Sequence, residues 1–170
     1  MEEKEIFRGV IFTLVQKEVE VNSIRVNRDI IRHPGGVGVL LQIDHKILLV
    51  RQMRHAINQD TLEIPAGKLE YGENPKECGI RELNEEACYE ASDLNLIYDI
   101  VSTPGFCDER IKIYEAIDPK KASVHLSQDI DEDIQLVWMD LDEAYQKCLD
   151  QTIIDAKTII AIQYAKLKEK

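Results

Sequence analysis

What the sequence lacks excludes several classes of protein. Its four cysteines, Cys78, Cys88, Cys107 and Cys148, include no CxxC pair and no metal-ligand spacing, so they offer no zinc-type site and read as reduced, buried thiols. No run of about 18 apolar residues occurs, which argues against a membrane-spanning helix. The acidic start Met-Glu-Glu-Lys-Glu has no apolar stretch of the kind a secretory signal needs. The expected compartment is therefore the cytoplasm, with no membrane partner. No stripe rich in Lys or Arg is present and the formal net charge is -11, which disfavours nucleic acid as a partner, because nothing is there to neutralise its phosphates. The same charge leaves a small phosphorylated substrate open, since bound metal ions invert the local field.

What is present suffices for one well-buried domain: 170 residues, 44% of them hydrophobic. The chain reads as strands over Ile6 to Leu14 and then Val19 to Ile31, the second with loose alternation at Val19, Val21, Ile24 and Val26. A small isolated sheet is marginal in water, so these strands need a partner surface. His33-Pro34-Gly35-Gly36 breaks the pattern, and Val37 to Leu41 and Ile47 to Arg51 follow as apolar runs around Asp44-His45, the mark of a hairpin. Thr61 to Ile64 is a short strand running into Pro65-Ala66-Gly67. Further strands are expected at Leu94 to Val101, Arg110 to Ile117 and Ile134 to Met139, with a turn at Thr103-Pro104-Gly105-Phe106 and an acidic loop from Asp129 to Asp133. The tail reads as helix over Leu141 to Leu149 and Ala156 to Leu167, the latter with Ala156, Ile160, Tyr164 and Leu167 on one face. In layer terms this is an α/β sandwich.

The stretch from Gly67 to Tyr89 concentrates carboxylates in one loop and one helix. Asn74 suits the N-cap, Pro75 the first helical position, and Glu77 completes a capping-box pattern. The helix is expected from Pro75 to about Ala87. At 3.6 residues per turn, Ile80, Leu83 and Ala87 cluster on a core side, with Glu82, Glu85 and Glu86 roughly 140° away. Glutamates three and four apart repel, and Arg81 neutralises only part of that charge, so a hard divalent cation is the natural occupant. An ordinary run of glutamates would be a solvated helix face.

Spacing separates this run from an ordinary one. Gly67, Glu73, Arg81, Glu82, Leu83, Glu85 and Glu86 stand in register with the Nudix box, which the stretch resembles. Cys88 departs from the pattern where it has glycine, and Tyr89 where it has an aliphatic residue. If that position ends the helix in a left-handed conformation, cysteine there is strained by about 1 kcal/mol. The resemblance extends over nearly the whole chain from Ile6: His-Pro-Gly-Gly, Arg-Gln-Met-Arg, Glu-Ile-Pro-Ala-Gly-Lys-Leu-Glu, Thr-Pro-Gly-Phe and Asp-Glu-Asp-Ile all look like the ADP-ribose pyrophosphatase branch. Pro104, fifteen positions past Tyr89, stands where that branch carries a proline.

The resemblance implies a Nudix-type α/β/α sandwich with a mixed sheet. It also implies an N-terminal β-strand subdomain over residues 1–32, exchanged between two subunits of a homodimer, ahead of a hydrolase domain over 33–170. It implies that Glu82 and Glu86, with the carbonyl of Ala66, bind two to three Mg2+ or Mn2+ ions, that Glu85 assists, and that Arg81 orients the glutamates. Arg54 and Arg32 match arginines that contact substrate phosphates, Phe106 and Glu109 match positions near the terminal ribose, and Glu132 matches the catalytic loop acid. The implied reaction is Mg2+-dependent hydrolysis of ADP-ribose to AMP and ribose 5-phosphate. The alternatives are another nucleoside diphosphate sugar, a catalytically weak ligand sensor on the same fold, or an acidic interaction protein.

Overall fold

The computed structural model describes residues 3–127 and 133–169. Among these residues thirteen strands and three helices follow in chain order. The first three strands are β1 (Glu3–Arg8), β2 (Thr13–Val21) and β3 (Ile24–Arg32), and they form an antiparallel sheet of their own. Next come β4 (Gly36–Leu40), β5 (Gln42–Ile43), β6 (Lys46–Arg54), β7 (Gln59–Glu63), β8 (Ala66–Lys68) and α1 (Pro75–Ala87). The remainder is β9 (Tyr89–Glu90), β10 (Asp93–Val101), β11 (Arg110–Ile117), β12 (Lys120–Lys121), β13 (Gln135–Asp140), α2 (Leu141–Leu149) and α3 (Ala156–Lys168).

The core is built on β4 and β6. One sheet runs β10-β11-β4-β8, with β4 parallel to β11 and antiparallel to β8, and the other centres on β6, which pairs with β13, β5 and β7. Because successive strand residues face opposite ways, β4 sends Val37 and Val39 towards Cys78, Leu83 and Ala87 of α1. It sends Leu40 the other way, into a cluster with Leu141 of α2 and Ala161 and Ile162 of α3. β6 splits likewise, Leu48 joining the first cluster and Ile47 and Leu49 the second. Helices therefore cover both faces, which is the expected α/β/α layering with a mixed sheet. None of the helices among the described residues is long and apolar enough to cross a membrane.

Two expectations for the amino-terminal strands need correction. Ile6 to Leu14 is interrupted: the Gly9 N–H bonds to the Phe12 carbonyl at 2.9 Å, turning the chain between β1 and β2. The apolar run through Val10 and Ile11 looked like strand but forms the exposed tip of that turn. Val19 to Ile31 spans two strands, because Asn22 and Ser23 take φ of 51° and 62°, the two positive values of a tight hairpin turn that follows the twist of its strands. Asp44 and His45 repeat that geometry, with φ of 49° and 62°, at the hairpin read from sequence. The three-stranded sheet meets the rest of the chain at Ile31, whose N–H bonds to the Phe106 carbonyl at 2.7 Å and whose carbonyl accepts from Asp108 N–H at 3.1 Å.

The buried face of α3 also differs from the sequence reading. Thr158, Ala161, Ile162 and Ala165 face the core, while Leu167 is 63% exposed. Small residues at 158, 161 and 165 let the helix lie close on β4, which the larger Ile160 and Tyr164 flank.

Candidate active site

Local chemistry sets the ends of α1. Asn74 accepts the Lys76 N–H at 2.9 Å and Pro75 opens the helix. Among the described residues no bond returns from Glu77 to Asn74, so the cap is a single one rather than a reciprocal box. At the other end Cys88 sits at φ 59°, ψ 33°, in the left-handed conformation, with its N–H on the carbonyls of Asn84 and Leu83. The cysteine therefore occupies a position where glycine would be unstrained.

The buried face of α1 is not the one expected from hydrophobicity. Ile80 is 38% exposed, whereas Cys78, Gly79, Glu82, Leu83, Glu86 and Ala87 are buried. The arc is centred between Leu83 and the two glutamates, because β8 gives them partners. The Glu86 carboxylate accepts the Ala66 N–H at 2.9 Å. The Glu82 carboxylate lies against Gly67, where a Cβ would stand 1.9 Å from Oε1. Gly67 is thus required by close approach, with no special backbone conformation involved.

Arg81 ties this face together. Its Nε and Nη2 fork onto Glu73 at 3.0 and 3.2 Å, and its Nη1 donates to Glu82 and to Glu85, each at 2.7 Å. Glu73 in turn accepts the Glu70 N–H at 2.9 Å, closing the loop before the helix. The Arg81 guanidinium holds the Glu73 carboxyl below the usual carboxylate range, and Glu73 raises Arg81 above its ordinary value. Burial, helped by Glu73, pushes the Cys78 thiol up to about 12, so it stays a neutral packing group. The carboxylates of Glu82, Glu85 and Glu86 are oxygen donors of the kind a hard divalent cation takes, and the missing side chain at Gly67 leaves the space that Glu82 fills.

A cleft of about 630 Å³ opens beside this face, lined by Ala66, Gly67, Arg54, Glu109, His33 and Lys157 among others. Arg54 forks onto Glu63, Nε to Oε1 at 2.6 Å and Nη2 to Oε2 at 2.7 Å. Burial alone would raise the Glu63 pKa, but Arg54, Lys157 and Thr61 more than offset it and hold the carboxyl down at about 2. Glu109 accepts from Ser102 Oγ at 2.6 Å and lies 3.4 Å from His33 Nδ1. Arg32 and Phe106 lie outside this lining. Arg32 is held by Glu3 and, at 2.8 Å, by Asp108, and it lines a smaller cleft of about 440 Å³ with Phe12 and Tyr71. Phe106 is 58% exposed. Glu132 lies outside the described residues.

Of the residues singled out from sequence, Ala66, Arg81, Glu82, Glu85, Glu86, Arg54 and Glu109 gather at or beside the cleft. The sequence reading missed Glu63, Lys157 and Asp155. The only signal for Glu63 is its strand parity with Thr61, which puts both on the buried face of β7. Elsewhere, ligand atoms of His45, Asp140 and Asp142 lie within 4.8 Å of one another, but Asp140 caps α2 and Lys166 pairs with Asp142.

Comparison with known proteins places the chain in a family. The chain is 39% identical over 168 residues to a methanol dehydrogenase activator of Bacillus methanolicus, covering 98% of this chain and 91% of that one. It is 38% identical over 168 residues, with the same coverage, to an ADP-ribose pyrophosphatase of Bacillus subtilis strain 168. A solved structure of an ADP compounds hydrolase superposes with a TM-score of 0.81 at 21% identity, covering 98% of this chain and 90% of that one, which speaks to the fold alone. The NUDIX domain model matches residues 32–161. With the carboxylates of that domain's box gathered on one strand-facing side of α1, the chain belongs to the Nudix family.

Proposed function

We propose that this protein is a divalent-metal-dependent hydrolase of nucleoside diphosphate sugars, with ADP-ribose, cleaved to AMP and ribose 5-phosphate, as its principal substrate. The observation that carries the reading is the placement of Glu82 and Glu86 on the Ala66–Gly67 edge of a cleft that Arg54 also lines. The ADP-ribose pyrophosphatase relative, 38% identical over almost the full chain, supports the substrate.

A pyrophosphate bridge repels an incoming nucleophile, so its hydrolysis needs charge neutralisation and an activated water. Two to three Mg2+ or Mn2+ ions would supply both, as Lewis acids that neutralise phosphate charge and lower the pKa of a water. Glu82, Glu86 and the Ala66 carbonyl would hold the ions with Glu85 assisting, and Arg81 orients Glu82 and Glu85 by its shared hydrogen bonds. Arg54, with Nε and Nη2 forked onto Glu63, would meet the phosphates through Nη1. Arg32 lines the smaller cleft and would reach them only by giving up one of its two carboxylate partners. Glu109 and Phe106 would contact the terminal ribose, and Glu132 would be the loop base.

Residues 1–32 act as a subdomain that joins two copies of the chain in a cytoplasmic homodimer. What supports the dimer is the apolar surface of that sheet, where Ile6, Phe7, Ile11 and Ile24 are each about half exposed or more. A monomer by sedimentation would contradict it. The relative named as a methanol dehydrogenase activator favours a second reading, in which the same hydrolysis alters another enzyme's activity.

The deciding experiment is a turnover screen with Mg2+ against ADP-ribose, other nucleoside diphosphate sugars and dinucleoside polyphosphates. ADP-ribose should give AMP and ribose 5-phosphate, and Glu86→Gln should lower kcat by about 10² or more. Turnover of none of these, or turnover indifferent to chelator and to Glu86→Gln, would overturn the proposal.

A further inference from the structure

Arg54 ends β6 with 42% of its side chain exposed, so left to itself it would sample many rotamers in the cleft. It is held instead by Glu63, whose side chain is only 3% exposed. Two of its guanidinium nitrogens are engaged there, and among the described residues Nη1 donates to no partner, so it remains available to a substrate phosphate. The rigidity of Arg54 is therefore only as good as that of the Glu63 carboxylate.

Glu63 is fixed from behind. Lys157 Nζ donates to its Oε2 at 2.5 Å, and Thr61 Oγ1 to its Oε1 at 2.6 Å. Lys157 is itself 10% exposed and is anchored a second time on Asp155 Oδ1 at 3.1 Å. Asp155 caps α3, accepting from Thr158 N–H at 3.0 Å and from Thr158 Oγ1 at 2.6 Å. Thr158 Oγ1 accepts the Ile64 N–H at 2.8 Å, immediately after Glu63. The ring so closed bolts the first turn of α3 to the end of β7.

We infer that Lys157 is a positioning residue for substrate binding, acting on Arg54 through Glu63. A buried carboxylate that loses one of two cations can rotate and redistribute its hydrogen bonds, and Arg54 loses its fixed orientation with it. The aliphatic stem of Lys157 packs beside Gly38, so Lys157→Met removes the charge while keeping that packing. The inference rests on the phosphate-binding role given to Arg54 above.

The test has two arms. In the protein without substrate, exchange of the Arg54 Nε proton with solvent, followed by NMR, should quicken about tenfold in Lys157→Met and return towards the wild-type rate in Lys157→Arg. With ADP-ribose and Mg2+, Lys157→Met should raise KM about five- to twentyfold with kcat within about twofold, and should add nothing to the KM of Arg54→Ala. A packing role alone would lower the melting temperature with Arg54 exchange and KM unmoved, and a direct phosphate contact would make the two KM effects multiply. Either result overturns the inference. Lys157→Gln serves both arms if the Met variant does not fold. Should wild type fail to hydrolyse ADP-ribose, the substrate assignment falls, while the exchange arm still decides the role of Lys157.

Discussion

Gly67→Ala perturbs the carboxylate face while leaving every carboxylate in place. The added Cβ would lie 1.9 Å from Glu82 Oε1, 2.0 Å from its Cδ and 2.5 Å from Oε2. Carbon and oxygen approach to about 3.3–3.6 Å even in the closest favourable contacts, so the Glu82 carboxylate must retreat by roughly 1.5 Å or β8 must part from α1. Glu82 is 8% exposed and shares the Arg81 guanidinium with Glu73 and Glu85, so its retreat drags the whole array. Overpacking of this kind costs about 1–3 kcal/mol of stability, which a folded domain of this size survives. Misplacing a reacting group by about 1 Å costs on the order of 10²-fold in rate. The expected outcome is a folded protein with kcat lowered by about 10² and weakened Mg2+ binding, read by turnover of ADP-ribose, metal titration calorimetry and urea unfolding. Near wild-type turnover and metal affinity in Gly67→Ala would refute the argument that Glu82 must lie on the strand.

Cys88→Gly should raise stability by up to about 0.5 kcal/mol in urea unfolding, because the left-handed conformation at φ 59° strains any side chain and relief of that strain outweighs the added freedom of the unfolded chain. Glu63 has its carboxyl pKa depressed from 4.5 to about 2. Its contribution is therefore fully present above about pH 4.5 and lost as pH falls through 2, and amounts to at most about 3 kcal/mol. Over that window Glu63→Gln should lose less stability than wild type as pH falls, and an equal loss would contradict the pairing. Glu132→Gln should lower kcat by about 10² with little change in KM or melting temperature, whereas Asp129→Asn and Asp131→Asn should be milder. If Asp131→Asn proves the severe change, the loop register is off by a residue.

How far this protein was legible from its sequence depended on the range of the interactions involved. The bounds of α1 were readable because Asn74 and Pro75 act within one turn of the helix start. The hairpin at Asp44-His45 and the start of α2 at its Asp140 cap were readable for the same reason, since each rests on neighbours in the chain. The register of Gly67, Glu73, Arg81, Glu82, Glu85 and Glu86 identified the family, because charged residues at fixed helical spacing leave a pattern no tertiary contact is needed to see. Which face of α1 would be buried was decided only by packing: hydrophobicity put Ile80 inside and the glutamates out, but β8 offered the Ala66 N–H and the open Cα of Gly67 to Glu86 and Glu82. The pairing of Glu63 with Lys157 joins residues 94 apart, and nothing local to either announces the other. A charge can be buried only where the fold brings its counter-charges to it. Such sites are settled when distant segments meet, after the local preferences have been satisfied.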